Sequence, residues 1–199
     1  MMPPILPSAD FNTPIFWFAV LMWGLFFVVV RTLIRRGRVS VRRHRRYRRQ
    51  AARVLQTLPG LAGDGCRLSY LRKINPFVFE ELLLLAFARQ GYRVKRNPRY
   101  SGDGGLDGQV WIDEQRFLIQ AKRYSRAINP AHIADFSRLL RQQAVSGFFI
   151  HTGRTGMKSR TEAKGHTHLH IISGQKLLSL LAGSPGWQTE MSPRRDTKP

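Results

Sequence analysis

The sequence contains little cysteine and few acidic residues, and both features limit the class of protein to which it can belong. Its one cysteine, Cys66, excludes an internal disulfide and a cysteine-rich zinc module. Asp and Glu total 12 against 33 Lys and Arg, a formal charge of +21 at pH 7. This charge argues against an enzyme of neutral metabolites and indicates a polyanionic partner, either nucleic acid or an anionic membrane. Hydrophobic residues make up 43% of the chain, too many for a disordered basic tail.

Lys and Arg are absent from the first 30 residues of the sequence, which are dominated by an apolar run. The run occupies 15–30 and reaches 20 residues with 31–34, about 30 Å of helix and the thickness of a bilayer core. We predict a transmembrane helix at 14–34 after a short extracytoplasmic segment at 1–13. A cleaved signal peptide is disfavoured because the basic residues follow the apolar run instead of preceding it. A buried core helix is disfavoured by the same charge run.

Eleven arginines lie between Arg31 and Arg53. The positive-inside rule then places the N-terminus outside and the remainder of the chain in the cytoplasm, so the predicted location is the cell membrane, crossed once. We interpret 35–60 as an Arg-rich juxtamembrane linker that contacts anionic lipid. A DNA-binding arm is the alternative for this segment, and the sequence leaves it open.

The composition becomes that of a globular domain at 61–183, and 184–199 is interpreted as a flexible tail. Helices are predicted at 77–89, where Asn75-Pro76 is a helix start, and at 131–143, 161–164 and 176–181. Strands are predicted at 92–94, 109–112, 117–122, 147–151 and 169–172. This order predicts an α/β or mixed three-layer domain.

Glu80 is the first polar residue that needs explaining, because it shares a helix face with three large apolar residues. A carboxylate on such a face is costly unless it is paired or binds something. A salt bridge to one of the many arginines is the alternative to a functional role.

A hairpin at 109–122 brings further polar residues together. If Ile112 pairs with Phe117 across a four-residue loop at 113–116, Asp107 lies opposite Lys122, with Gln120 on the same face. A simple cross-strand salt bridge between Asp107 and Lys122 is the alternative, and it would contribute little.

Several motifs in this region carry a resemblance to a known family. They are Phe79-Glu80 with Leu82, Gly91-Tyr92, the loop Ser101-Gly-Asp-Gly-Gly-Leu-Asp107, and Gln120-Ala-Lys-Arg-Tyr124. Together they resemble the Mrr-like restriction endonucleases of the PD-(D/E)xK nuclease superfamily, over roughly Asn75 to Leu181. The resemblance implies a restriction-endonuclease-like three-layer domain with a central mixed β-sheet. It also implies metal-dependent hydrolysis of DNA, usually with Mg²⁺.

The resemblance assigns a role to each matching residue. Asp107 matches the metal-binding aspartate, and Gln120 matches the second metal position, where many relatives carry Glu. Lys122 matches the lysine that orients the attacking water and stabilises charge, and Glu80 matches the helical glutamate that assists the metal site. Glu81 is a reserve candidate for that last role. Gln120 removes one charge from the site and is expected to weaken metal binding.

The expected function is a membrane-anchored DNA endonuclease that restricts foreign or modified DNA. Its alternative is a catalytically silent nuclease-like module that tethers DNA to the membrane. DNA is the expected partner, together with anionic lipid and, as an open alternative, a second copy of the chain. Residues expected to contact DNA phosphates flank the site: Lys95, Arg99, Arg123 and Arg126, with Arg93 and Arg96 nearby.

Overall fold

The computed structural model describes residues 14–97 and 106–188, and it divides the chain into two compact units, Met1–His44 and Arg45–Pro199. The predicted extracytoplasmic segment at 1–13, the glycine-rich part of the loop before Asp107, Arg99 and most of the predicted tail lie outside the described residues. The elements named below all belong to the described ranges.

The first helix, α1, spans Pro14–Thr57 and contains both the apolar run and the arginine cluster. Along the described residues, no helix is both long and apolar enough to cross a membrane. The predicted transmembrane helix at 14–34 is therefore unsupported. Residue 34 is not a helix end either, because α1 continues through the arginines that follow it.

Five further helices and five strands follow α1. The helices are α2 (Gly63–Leu71), α3 (Pro76–Arg89), α4 (Pro130–Gln142), α5 (Met157–Lys164) and α6 (Gln175–Ala182). The strands are β1 (Arg93–Arg96), β2 (Gly108–Ile112), β3 (Gln115–Lys122), β4 (Ser146–His151) and β5 (Leu169–Ile172). Short 3₁₀ turns occupy Leu58–Gly60 and Pro185–Gln188.

Local sequence explains where the two central helices begin. Asn75 caps α3 by accepting a hydrogen bond from the Phe77 N–H at 2.9 Å, and Asn129 caps α4 by accepting one from the Ala131 N–H at 3.0 Å. A proline follows each cap, at the first helical position, where its missing N–H costs nothing. These starts confirm the interpretation of both Asn-Pro pairs.

The strands form one mixed sheet in the order β1-β2-β3-β4-β5. β1, β2 and β3 are antiparallel neighbours, whereas β3, β4 and β5 are parallel. The predicted mixed sheet is confirmed. Because β3, β4 and β5 run in the same direction, their carboxyl ends meet at one edge of the sheet.

Helices cover both faces of the sheet. One face packs against α3, α6 and the C-terminal part of α1, around buried side chains that include Phe87, Phe148 and Trp187. On the other face, α4 packs Ile133 and Phe136 in a cluster that contains Leu118, Phe149 and Leu169. The result is a three-layer domain with the sheet in the middle.

The β2–β3 hairpin differs from its predicted register. Ile112 pairs with Gln115, not with Phe117, so the connection has two residues instead of four. Asp113 and Glu114 both adopt positive φ, 47° and 62°, as in a type I′ turn, whose twist matches that of the strands. The prediction was wrong because neither residue is Asn or Gly, the usual signal for this turn.

Candidate active site

The predicted site residues of the hairpin lie at its open end, away from the turn. The Asp107 N–H donates to the Ile119 carbonyl at 2.9 Å, directly before β2 begins. Since Gly108 faces Ile119, Asp107 comes opposite Gln120, and Lys122 ends β3 two residues later. The predicted pairing of Asp107 with Lys122 was therefore wrong by two positions. Because strand residues two apart share a face, all three polar residues are still brought to one end of one face.

Asp107 is held by the backbone of the neighbouring strand. Its Oδ2 accepts a hydrogen bond from the Ala121 N–H at 2.6 Å. Burial raises the pKa of Asp107 to about 6, against the opposing effects of the Ala121 N–H and the positive charge of Lys122. The carboxylate is therefore mostly ionised at neutral pH.

Glu80 lies on α3, and charged residues of the hairpin change its pKa. Burial, followed by the negative charges of Asp107 and Glu81, raises the pKa of Glu80 to about 8, while Lys122 acts in the opposite direction. Coulombic effects of this kind need short separations. Glu80, Asp107 and Lys122 are therefore close enough for their charges to interact, although they lie on different segments of the chain.

A close contact between α3 and β2 accounts for this convergence. A Cβ atom on Gly108 would lie 2.6 Å from Leu84 Cδ2 and 3.2 Å from the Lys95 carbonyl oxygen. Leu84 is one helical turn after Glu80, and Gly108 follows Asp107. The missing side chain thus lets α3 approach the strand directly after Asp107 and one helical turn from Glu80.

Glu81, the reserve candidate, has a different environment. It is only 2% exposed and forms an ion pair with Arg96, whose Nε lies 3.0 Å from Glu81 Oε2. This pair ties α3 to the edge strand β1. Glu81 and Arg96 are therefore engaged with each other in the fold.

The oxygen donors of the site suit a hard divalent cation. The side chains of Glu80 and Asp107 are carboxylates, and the side chain of Gln120 is a buried amide. Two neighbouring carboxylates with raised pKa values are an arrangement that a bound cation would relieve. Within 14–97 and 106–188, no group of three or more His, Cys, Asp or Glu is placed to hold a metal. The fit therefore depends on two carboxylates and one amide.

The basic residues expected to contact DNA occupy different positions. Lys95 is exposed on the edge strand β1, and Arg126 is exposed after β3. Arg123 is also exposed, and its guanidinium donates to the Arg72 carbonyl at 2.6 Å. Arg99 lies outside the described residues, so the structure places three of the four candidates.

The segment after Lys122 is fastened to the end of β4. The Thr152 N–H donates to the Lys122 carbonyl at 3.3 Å, and the Tyr124 N–H donates to Thr152 Oγ1 at 3.0 Å. A Cβ atom on Gly153 would lie 2.3 Å from the Arg126 carbonyl oxygen. This close crossing of two backbones holds the basic segment beside the end of β3.

His151 is a residue of this region that sequence reasoning missed. It ends β4 as the register partner of Lys122, is 0% exposed, and has its Nε2 3.2 Å from Thr155 Oγ1. Burial lowers the pKa of His151 to about 4, so its ring is neutral at physiological pH. The apolar residues that precede it in β4 indicate a buried position, but only the sheet order places it beside Lys122.

Comparisons with solved structures give partial similarity to two restriction endonucleases. One is the MspJI restriction endonuclease in complex with a 27-mer oligonucleotide, at 24% identity and a TM-score of 0.46. The other is restriction endonuclease FokI, at 14% identity and a TM-score of 0.43. Each match covers 60% of this chain but only 30% and 28% of those longer chains. No curated protein sequence matches the chain.

A protein-family model matches the part of the chain that contains the candidate site. It is the Mrr_cat model, described as a restriction endonuclease, and it matches residues 71–181. That range contains α3, the whole sheet and almost all of α6, and with them Glu80, Asp107, Gln120 and Lys122. The matched range is more than half of the chain, and the chain therefore belongs to the Mrr_cat restriction endonuclease family.

Proposed function

We propose that the protein is a metal-dependent DNA endonuclease that hydrolyses phosphodiester bonds at the open end of the β2–β3 hairpin. Membership of a restriction endonuclease family supports nuclease activity. The site assignment is supported by the hydrogen bond that fixes Asp107 to the Ala121 N–H and by the effect of the Asp107 and Lys122 charges on the pKa of Glu80.

In this proposal, Asp107 and Gln120 would hold a divalent cation, usually Mg²⁺, with Glu80 assisting from α3. Such a cation neutralises phosphate charge and lowers the pKa of bound water. The Ala121 N–H orients the Asp107 carboxylate through the 2.6 Å hydrogen bond. The Lys122 ammonium would orient the attacking water and stabilise the negative charge that develops on the phosphate.

The direct test is cleavage of supercoiled plasmid by the full chain with Mg²⁺, beside a chelator control and Lys122→Ala. We expect nicking or linearisation that chelator abolishes and that Lys122→Ala reduces by about 100-fold or more, as for loss of a transition-state charge donor. Lys158→Ala is the matched control, because Lys158 is exposed on α5 and is not among the site residues. Equal cleavage by Lys122→Ala and the parent protein would show the site assignment to be wrong.

A tethering module without catalysis is the second candidate function. Gln120 in place of an acid lowers the charge available for a cation, whereas the excess of basic residues favours DNA binding in either case. Plasmid that is retarded in a gel but stays intact with Mg²⁺, Mn²⁺ and Ca²⁺ would favour this candidate over the nuclease.

The proposed substrate is foreign or modified DNA. The family description as a restriction endonuclease supports this class of substrate. Parallel digests of methylated and unmethylated plasmid test it: a difference in rate would identify modification as the signal, and equal rates would contradict modification dependence.

We also propose that the first unit attaches the protein to the cytoplasmic side of an anionic membrane. Eleven large apolar side chains between Trp17 and Val29 are exposed, from 45% to 72%. The exposed arginines at 42–49 follow them on the same helix. An exposed apolar surface of this kind is typical of a site that binds a membrane or another protein, and the neighbouring arginines favour anionic lipid.

Flotation with vesicles tests this attachment. The full chain should float with phosphatidylglycerol-containing vesicles, and a variant with Leu21→Asp and Phe26→Asp should not. Release by alkaline carbonate would identify interfacial binding, whereas retention would identify a membrane-spanning segment. Failure to float with any vesicle would contradict attachment.

Whether the protein is a homodimer stays a prediction, which light scattering of the detergent-free DNA complex would decide.

A further inference from the structure

A cationic pocket lies beyond β5, separate from the candidate active site. Its volume is about 500 Å³, within the range of small-molecule sites. α5 contributes Arg160 and Lys164, α6 contributes Gln175 and Lys176, and the loops that precede these helices contribute Thr155 and Ser173. Its floor is apolar and comes from β5 and α5, through Leu169, Ile171 and Ala163.

The charge of the pocket is of one sign. Three of its lining residues are Lys or Arg, and none is Asp or Glu. Two acids adjoin lining residues of the pocket: Glu162 precedes Ala163, and Asp64 is hydrogen-bonded to Gln175. Glu162 contacts His166 at 3.2 Å, and Asp64 is also paired with Arg67. The lining therefore combines positive charge and hydroxyl groups with an apolar floor.

These three properties together match a phosphate-bearing nucleotide. Arg and Lys bind phosphate, and Arg can do so through two parallel hydrogen bonds. The Oγ atoms of Thr155 and Ser173 lie 3.3 Å apart and are hydrogen-bonded to each other, so one of the two hydroxyl groups can donate to a phosphate or sugar oxygen while the other donates to its neighbour. The apolar floor suits the face of a base, and the volume is ample for one nucleotide.

Two lining residues of the pocket, Thr155 and Ser173, lie at the same edge of the sheet as the candidate active site. Lys122 and His151 are register partners at the carboxyl ends of β3 and β4, and Ser173 follows β5. Strands are about 4.8 Å apart, so β5 lies about 10 Å from β3, or roughly three base-pair steps of a DNA strand. His151 connects the two places, because Thr155 on the pocket wall is 3.2 Å from its Nε2.

We infer that this pocket binds a phosphate-bearing nucleotide, either free or as part of the DNA strand beside the cleavage site. The assignment to DNA rests on the proposed nuclease function, whereas nucleotide binding itself does not. The ligand is recognised by phosphate charge on the Arg160, Lys164 and Lys176 side of the pocket and by base contact with its floor.

Calorimetric titration of the full chain in chelator separates this inference from catalysis. The probes are dAMP, deoxyadenosine and inorganic phosphate. We expect saturable binding of dAMP and binding of deoxyadenosine weaker by about tenfold or more, because the lost phosphate contacts are charge-assisted. Absence of saturable dAMP binding, or equal binding of deoxyadenosine, would overturn the inference.

Matched variants on α5 localise the binding. Arg160→Gln and Lys164→Gln should each weaken dAMP binding by about tenfold. Lys158→Gln removes the same charge from the same helix outside the pocket, so it should leave binding within about twofold. Equal losses in all three variants would indicate a general charge effect and would overturn the site.

Oligonucleotides distinguish the two sources of the nucleotide. Tighter binding of a 5′-phosphorylated or internal DNA segment than of dAMP, weakened by Arg160→Gln, would place substrate DNA in the pocket. Tighter binding of dAMP would identify a free nucleotide. Lys122→Ala should keep dAMP binding in either case, so loss of cleavage with retained dAMP binding would separate failure of the proposed nuclease from failure of this site.

Discussion

At the residue scale, Glu80 and Asp107 hold their protons more tightly in the folded protein than in the unfolded chain. The pKa of Glu80 rises from 4.5 to about 8 and that of Asp107 from 3.8 to about 6, in both cases mainly through burial. A carboxyl whose pKa is raised by folding stabilises the fold at low pH and loses that contribution as pH rises through the folded value. A cation bound between the two groups would reverse this penalty.

His151 changes stability in the opposite direction. Burial lowers its pKa from 6.5 to about 4, so the neutral ring favours the fold. Its contribution grows as pH rises from about 4 and is complete above about 6.5. The interval between about pH 6.5 and about pH 8 is therefore governed by Glu80, because Asp107 is by then largely ionised.

The Glu80→Gln variant tests this dependence of stability on pH. In chelator, the thermal midpoint of the parent protein should fall between about pH 6.5 and about pH 8, since Glu80 ionises in a buried site. The variant should show a flatter profile over the same interval, and Mg²⁺ should raise the midpoint of the parent protein more than that of the variant. Thermal denaturation followed by circular dichroism measures both. Parallel profiles for the two proteins would contradict the assigned environment of Glu80.

At the element scale, the β2–β3 turn sets the register that aligns the site. Asp113 and Glu114 occupy the two positive-φ positions without the residues that adopt them most easily. Glu114→Gly should therefore stabilise the fold by roughly 1 kcal/mol, because glycine relieves the strain at φ 62°. Urea denaturation measures this, with Gly65→Ala in α2 as an independent reference for a glycine effect at negative φ. A destabilised Glu114→Gly protein would contradict the turn assignment.

This turn also shows how far sequence reasoning reaches. The two Asn-Pro helix starts and the alternation of strands were predictable, because caps and periodicity are local properties. The candidate site residues were proposed from their motifs and the resemblance that these carry, and their roles stay a prediction. The register could not be predicted, since Asp113-Glu114 lacks the Asn-Gly signal of a type I′ turn. His151 and Gly108 depend on sheet order and on helix approach, which no local pattern encodes.

Gly108 allows a second test at this scale, on the approach of α3 to β2. Gly108→Ala should destabilise the fold by about 1–3 kcal/mol, because its Cβ would lie 2.6 Å from a methyl group of Leu84, which is 2% exposed. It should also reduce cleavage by displacing Glu80 from Asp107. Leu84→Ala removes the colliding methyl groups, so the double variant should lose less stability than the two single losses added together. Additive losses, measured by urea denaturation, would contradict a direct contact.

At the scale of the whole molecule, the basic residues that give the charge of +21 are unevenly distributed. Part of it follows the apolar run on α1, part lines the pocket beyond β5, and part lies beside the open end of the β2–β3 hairpin. Long-range attraction to DNA is a property of the total, whereas contact with individual phosphates belongs to particular residues. Salt dependence separates the two contributions.

The affinity of the full chain for duplex DNA, measured in chelator, should fall steeply as salt rises. Each phosphate contact contributes a slope of about 0.9 in log affinity against log salt concentration. Arg126→Gln should lower the slope by about that amount if Arg126 holds a phosphate beside the site. Arg138→Gln removes the same charge on α4, where Arg138 pairs with Asp135 at 3.2 Å, and should leave the slope unchanged. Equal slopes for the parent protein and both variants would mean that Arg126 contributes only to the general field and holds no phosphate beside the site.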